Sequence, residues 1–523
     1  MRNDGLFTYA RDNFQNFFYT INKKNYLFRA TLFNADNIAV DLEKSAIKEL
    51  YLHDNIYNPF FNGYLTVDNT DDVIERFKTD PKNKEFDEVR QERGYRTRGD
   101  GRDLLFLSII PVELPNNPYD EQSTEYNRVF GFQYIFVLGN ESDIITETGK
   151  LKKYDIVDID FEVLKEKKIF FSTIDLLKNR QNVAFLSDSQ RSGLTGESMK
   201  YIIKNGLQDN SAIFTTLSGA AEITPNFESG VSRLFYSSPN NNTALDDLMY
   251  MYNLHVSNSV AKDFSFLKKE PYSGEYTLIS ASNHFNKAFN KSSDSGGRFY
   301  IENLNITGTQ DASNIIENDI KKPLRGALQF GEQSDIIEVK FFNTPGTTYQ
   351  ENVKTILVHS YHFENKTFDI NEVDGDIENI KKDFSNFYVD PMKGKDNRPY
   401  PNLIINNTQK NNLNFDNKFL IYESDNDFLK LAVGRNEILK NALKLNIGVE
   451  LIVQGGFQRQ AGRFISIDRT GNYIDNDFDN KFLGLYFIVS VEHIFVNDDT
   501  YNNKIIAIKT YHYTDPKINE NIP

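Results

Sequence analysis

His359 and His362 stand three apart in the segment Thr355–Phe363, an H-x-x-H spacing that suggests a pair of metal ligands. That segment reads as a β-strand, and residues three apart on a strand point to opposite faces, so the pair would chelate poorly. Gly99-Asp100-Gly101-Arg102-Asp103 joins two glycines and two acids in a polar loop but lacks the later ligands of a calcium loop, and Arg98-Gly99-Asp100 within it reads as a solvated loop tip. Gly455-Gly456 beside Arg459 and Arg463 is glycine-rich and basic, like a phosphate loop. It opens no helix, so the anion-cradling geometry is missing, and it reads as a hairpin turn. His53, His284 and His493 read as hydrogen-bonded sheet residues. There is no H-E-x-x-H, no Walker loop and no G-x-S-x-G. With 74 Asp and Glu, some carboxylate pair falls at glycosidase distance by chance, so the acids alone support no hydrolase. The sequon Asn140-Glu141-Ser142 follows from abundant asparagine. The sequence therefore nominates no catalytic, cofactor-binding or metal-ligating residue and no cofactor, and the expectation is a protein that is not an enzyme.

The elements around these residues are mostly strands. Residues 1–25 read as an N-terminal arm, aromatic and polar, that docks on a neighbour or lies on its own surface. Leu27–Phe33 is strand-like, and the strand from Ile47 to His53 leads to a turn cluster at Asn58–Gly63 and a second strand at Tyr64–Asp68, a hairpin signal. Thr79–Asp103 reads as a solvated loop, and Leu104–Val112 and Phe130–Leu138 as core strands. Val157–Val163 alternates without a break, as a half-buried strand does, and Ile169–Ile174 closes the first domain.

Thr195–Ser198 then opens a helical pattern with Met199, Ile202 and Ile203 on one side and Gly206 as a stop. Thr243 with Asp246 three residues on marks a second helix start, followed by Leu245, Leu248, Met249 and Tyr252 at helical spacing. Phe264–Leu267 and Tyr276–Ser280 flank Pro271–Gly274 as a hairpin. Strands return at Arg298–Ile306, Asp335–Phe342, Thr355–Phe363, Asn446–Val453, Gly462–Ile467, Gly484–Phe495 and Lys504–Tyr513, with a helix at Ser424–Leu443. The expected fold is mainly β with an α+β middle. Its divisions are an arm at 1–25, a β domain at 26–180, a small α+β domain at 181–296 and a second β domain at 297–523, with an accessory or insertion region at about 371–445.

A chain of 523 residues suits about three domains at ~150 residues each. Phe 42 and Tyr 28 with no Trp favour pleated surfaces where rings pack. Cys 0 excludes disulfides and thiolate metal sites. The formal net charge of −15 repels phosphate backbones and argues against general nucleic-acid binding. Met1–Gly5 begins no apolar leader, and no stretch approaches the ~18 apolar residues of a membrane span. The expectation is a soluble product, assembled in the cytosol without membrane insertion.

Three segments, in order over roughly residues 26–513, resemble the baseplate hub family of T-even-type contractile-tailed phages and related injection machines. Leu50-Tyr51-Leu52-His53-Asp54 followed by Asn58–Asp68 is similar to that family's opening hairpin. Thr195-Gly196-Glu197-Ser198-Met199-Lys200 resembles the helix start of its small middle domain, and Leu445–Val453 with Gly484–His493 resembles its closing strands. The chain is longer than that hub, with extra material at 1–25, 79–103 and 371–418. The resemblance implies a structural part of the virion: a homotrimer in which each subunit carries two tail-tube-like antiparallel β-barrel or sandwich domains. Three subunits would then form a pseudo-six-fold ring joining the tail-tube protein above to the trimeric central spike below, with baseplate wedge proteins as neighbours. The ring would surround the channel for DNA ejection, with DNA passing unbound. The alternative is another β-rich tail or baseplate part: a tube terminator, a wedge or a receptor-binding protein.

Overall fold

The computed structural model describes residues 18–21, 24–33, 39–42, 44–69, 103–112, 132–147, 149–169, 193–208, 226–227, 233–234, 236–255, 265–269, 276–280, 301–308, 328–329, 336–342, 355–362, 366–373, 415–422, 447–457, 459–470, 482–497 and 500–509. The expected helix at Ser424–Leu443 and the loop at 79–102 lie outside these residues.

The fold is mostly antiparallel β-sheet with a small helical part. In chain order the elements begin with β1 (Phe18–Ile21), β2 (Lys24–Phe33), β3 (Ala39–Leu42), β4 (Ile47–Asn55), β5 (Asn58–Asp68), β6 (Leu104–Val112), β7 (Phe132–Thr146), β8 (Gly149–Asp158) and α1 (Ile159–Glu166). The middle holds β9 (Gly193–Leu194), α2 (Thr195–Gln208), β10 (Asn226–Phe227), β11 (Arg233–Leu234), α3 (Ala244–Asn253), β12 (Ser265–Lys269) and β13 (Tyr276–Ser280). The last part holds β14 (Ile301–Gly308), β15 (Leu328–Gln329), β16 (Ile336–Phe342), β17 (Thr355–His362), β18 (Thr367–Val373), β19 (Phe415–Tyr422), β20 (Gly448–Gln454), β21 (Phe464–Thr470), β22 (Gly484–Val496) and β23 (Thr500–Lys509).

Two six-strand runs organise the sheet. In the first the order is β2-β6-β7-β8-β5-β4, and in the second it is β14-β21-β22-β23-β20-β16. Numbered by chain order within each run, both read first-fourth-fifth-sixth-third-second. Four of the five pairings are antiparallel in both runs. The fifth differs: β2 pairs β6 antiparallel, whereas β14 pairs β21 in parallel. The alternation expected of half-buried strands appears directly in β20, where Val449, Leu451 and Val453 are fully buried.

Several local expectations change. The hairpin of β4 and β5 turns at Ile56–Tyr57, where the Asn55 side chain accepts the Tyr57 N–H at 2.9 Å, and Asn58–Gly63 lies inside β5. Gly63 serves close approach within the sheet: a Cβ there would sit 1.8 Å from the Tyr51 carbonyl oxygen. The alternating run at Val157–Val163 is divided. β8 stops at Asp158, whose side chain caps α1 by accepting the Asp160 N–H at 2.9 Å, with Asp160 and Glu162 in the helix's first turn. Gly206 does not stop α2, which runs on to Gln208; a Cβ there would meet Leu164 of α1 at 2.5 Å, so the glycine lets the two helices touch. Part of the expected arm is in the sheet, since β1 pairs antiparallel with β2. β17 leaves the main sheet and forms a separate one in the order β18-β17-β19.

Other expectations hold. The hairpin of β12 and β13 is antiparallel. α3 begins with a full capping box, in which Thr243 and Asp246 bond reciprocally, and Met199, Ile202 and Ile203 of α2 are buried. Among the described residues no helix is long and apolar enough to cross a membrane.

Candidate functional site

The seam between the two runs is where the molecule's parts are fixed to one another. β4 and β22 pair antiparallel, from Glu49 opposite Val496 to Asn55 opposite Ser490. The ladder continues beyond the strands, with the Ile56 N–H donating to the Val489 carbonyl at 3.0 Å and the Asn497 N–H to the Lys48 carbonyl at 2.9 Å. A β-bulge between Ile488 and Ser490 divides β22 into two halves. The half before it pairs with β21 and the half after it pairs with β4.

Aromatic rings fill the space under this seam. Phe457, in the loop after β20, stacks on Phe132 of the first run at 4.7 Å and on His493 of β22 at 4.6 Å. Phe495 stacks on Tyr501 at 3.9 Å and meets Phe28 edge-on at 6.1 Å. Phe457, Phe495 and Tyr501 thus belong to the first run's hydrophobic core although they come from the second. Such ring pairs contribute about 0.5–1.5 kcal/mol each beyond the area they bury.

Several polar groups in the seam bond to one another. The Tyr26 hydroxyl donates to the Gly455 carbonyl at 3.1 Å. His493 is fully buried, with Nδ1 2.9 Å from the Tyr501 hydroxyl and 2.8 Å from Asn503 Nδ2. Burial pushes its pKa down to about 3, helped by the charges of Lys268 and Arg459, so it is neutral in the fold. Asn503 Oδ1 accepts the Gly456 N–H at 2.7 Å and Arg459 Nη1 at 3.3 Å, and Arg459 also donates to the Gln454 carbonyl.

The middle block attaches at two neighbouring lysines of β12. Lys268 pairs with Asp54 of β4, whose other oxygen accepts the Ala461 N–H at 2.8 Å, so one carboxylate ties all three parts together. Lys269 sits 2.9 Å from both Asp158 oxygens and 2.6 Å from Asp160 Oδ2, and the Tyr276 hydroxyl donates to Asp160 Oδ2 at 2.7 Å. All four side chains of this cluster are buried. The two carboxylates hold the Lys269 ammonium above its usual pKa despite its burial. Burial pushes Asp158 up to about 7; Lys269 opposes that shift and the Asp160 charge adds to it.

Of the residues singled out from sequence, Gly455, Gly456, Arg459, His53 and His493 lie in this seam and the histidines of β17 lie elsewhere. On β17 the backbone register puts His359 opposite Ile370 and His362 opposite Thr367. Gly455 and Gly456 do not turn a hairpin, because β20 and β21 are not neighbours: β23 and β22 lie between them. Arg459 and Arg463 of that loop are buried rather than offered to an anion. His493 is a hydrogen-bonded sheet residue, while His284 and residues 98–102 lie outside the described part. Among the described residues no group of three or more potential metal ligands converges. Sequence reasoning missed Asp54, Lys268, Lys269, Asp158 and Asp160 as anchors. Their one visible trace is a pair of lysines closing the apolar run Phe264–Leu267.

No protein-family model and no curated protein matches the chain. Solved structures similar to it include the tail protein from Neisseria meningitidis MC58, at 8% identity and TM-score 0.42 over 92% of this chain and 96% of that one. The 43 kDa tail protein of prophage MuSo2 from Shewanella oneidensis is similar at 8% identity and TM-score 0.40, over 92% and 97%. An E. coli component of the type VI secretion system is similar at 6% identity and TM-score 0.33, over 89% and 74%.

Proposed function

We propose that the chain is a structural hub of a contractile phage tail. It acts as a trimeric adaptor whose two β domains, near 26–180 and 297–523, give three subunits six ring-forming modules around the DNA channel. The tail tube would sit above this ring and the three-fold spike below, with the small domain near 181–296 braced against the ring through Lys268 and Lys269. The chain would act without catalysis, as a part of the virion. The observation that carries the reading is the repeated strand order: β2-β6-β7-β8-β5-β4 and β14-β21-β22-β23-β20-β16 follow one order in one chain, differing only in the direction of the first strand. A contact between unlike surfaces closes a ring only when its rotation closes, and a chain that holds two copies of the module turns three-fold symmetry into an approximate six-fold one. The resemblance of Leu50–Asp68, Thr195–Lys200 and Gly484–His493 to the hub family points the same way.

The test is the mass of the purified full chain in solution, by light scattering or mass photometry, joined to class averages of the particle. Three chains around a central hole are expected. A six-chain ring would favour a tube or tube-terminator role, and a lone chain with no hole would end the adaptor reading.

A further inference from the structure

The repeat extends to its irregularities. β4 bulges between Ile47 and Glu49, and its counterpart β16 bulges between Ile336 and Glu338. β22 bulges between Ile488 and Ser490, and its counterpart β7 bulges between Leu138 and Glu141. Matching the runs through their ladders sets Asp143 on His493, Ile144 on Ile494 and Ile145 on Phe495. It also sets Val339 on Leu50 and Lys340 on Tyr51.

The counterparts differ in one respect. Beyond its bulge β22 is covered by β4, and Phe495 is 7% exposed. Beyond its own bulge β7 runs past β6, which pairs only with Phe132–Val137. There Ile145 is 84% exposed and Ile144 38% exposed. Among the described residues β16 pairs with β20 alone, and Ile337 on it is 47% exposed. Among the described residues, three of the six exposed large hydrophobics therefore lie on two strands whose counterparts are joined to each other. An apolar edge left open in this way is a template for another strand.

We propose that the outer half of β7, Glu141–Thr146, pairs antiparallel with β16 of a second copy of this chain, repeating between chains the β4·β22 seam found within one. The inference rests on the adaptor reading and supplies its closing contact. The register follows from the repeat: Ser142 opposite Phe342, Ile144 opposite Lys340 and Ile145 opposite Val339. Ile145 would occupy, in the neighbour, the position that Phe495 fills in its own chain. Main-chain hydrogen bonds would provide the attachment, and this side chain would fix the register.

The chain has no cysteine, so a designed pair reports without background. Ile144→Cys with Lys340→Cys places both thiols on exposed positions. In one chain six strands separate β7 from β16 along the sheet, so a link must join two chains. After mild oxidation, or with a short bis-maleimide, the full-length double variant should run as covalent dimer and trimer, and neither single variant should. Ile145→Asp should weaken assembly at least about tenfold by burying a charge at the contact. Ile370→Asp, at another exposed isoleucine, on β18, should not. A three-chain particle whose double variant never cross-links would overturn the strand contact and leave the adaptor reading standing. A single-chain mass would overturn both. A ladder running past three chains would keep the contact and overturn ring closure.

Discussion

The β4·β22 seam, which joins the two runs, and the seam under β12, which attaches the middle block, hold the molecule together by opposite means. The first is a backbone ladder over stacked rings, with a neutral histidine inside it. The second concentrates two carboxylates and one ammonium in a buried cluster. Backbone hydrogen bonds carry no residue identity, so a ladder seam can recur wherever the fold offers a second pair of edges. An ionic cluster needs particular side chains at particular atoms, and among the described residues the one with every member buried stands where the middle block attaches. Repetition and uniqueness are thus assigned to different physics.

The largest effect should come from the ionic seam. Lys269→Ala leaves Asp158 and Asp160 facing each other without a cation. Removing one partner of a buried pair costs about 3–5 kcal/mol, to be read as a fall in urea midpoint at pH 7.5. Adding Asp158→Asn and Asp160→Asn to that variant should recover part of the loss, because the three sites are coupled. A loss below ~1 kcal/mol in the single variant would mean that the cluster is hydrated and the contrast between the seams is false. Phe457→Ala should approach the same size by another route, on the order of 3 kcal/mol, through the cavity left between Phe132 and His493. Its loss should not vary with pH above 6.5, where His493 is neutral in the folded and the unfolded chain alike.

The two seams should also respond to pH with opposite sign. His493 has its pKa lowered from 6.5 to about 3, so the stability tied to its neutral form is present above pH 6.5 and drains away as pH falls toward 3. Asp158 has its pKa raised from 3.8 to about 7, so its contribution is complete below pH 3.8 and is lost as pH rises through 7. His493→Asn should flatten the acid limb of the stability curve between pH 6.5 and 4. Asp158→Asn should flatten the limb between pH 4 and 7. Chemical denaturation at several pH values checks both, and identical curves for the two variants would break the contrast.

How much of this was legible depends on the range of each interaction. β6 matches its expected span, and the capping box of Thr243 and Asp246 was visible because its partners lie three residues apart. The division at Asp158 was also written locally, as an acid cap followed by Asp160 and Glu162, but two turns of helix cover too little sequence to break an alternating pattern. The turn at Ile56–Tyr57 was misplaced because Asn62-Gly63 carries the usual turn composition, whereas Gly63 answers to the Tyr51 carbonyl on the neighbouring strand. The seam itself joins residues more than 430 apart, and nothing in either strand names the other. The repeat shows how register recovers what composition hides. Ile47-Lys48-Glu49-Leu50 and Ile336-Ile337-Glu338-Val339 look alike only once their bulges are aligned.

The smallest expected effect sharpens the contrast by exclusion. Lys504 and Glu492 face each other across β22 and β23 at 4.0 Å, with side chains 34% and 25% exposed. They occupy the positions that Lys153 and Ser142 hold in the first run. There the lysine that bridges the hairpin is Lys152, paired with Glu141 and Asp143, so the same strand order is built with the ion pair on different rungs and no one pair specifies it. A partly exposed pair of this kind is worth about 0–1 kcal/mol because water and salt screen it. Lys504→Ala should therefore shift stability by less than about 0.5 kcal/mol, and by less still at high salt. A loss comparable to that of Phe457→Ala would show that surface charge, and not the buried rings, holds the second run in place.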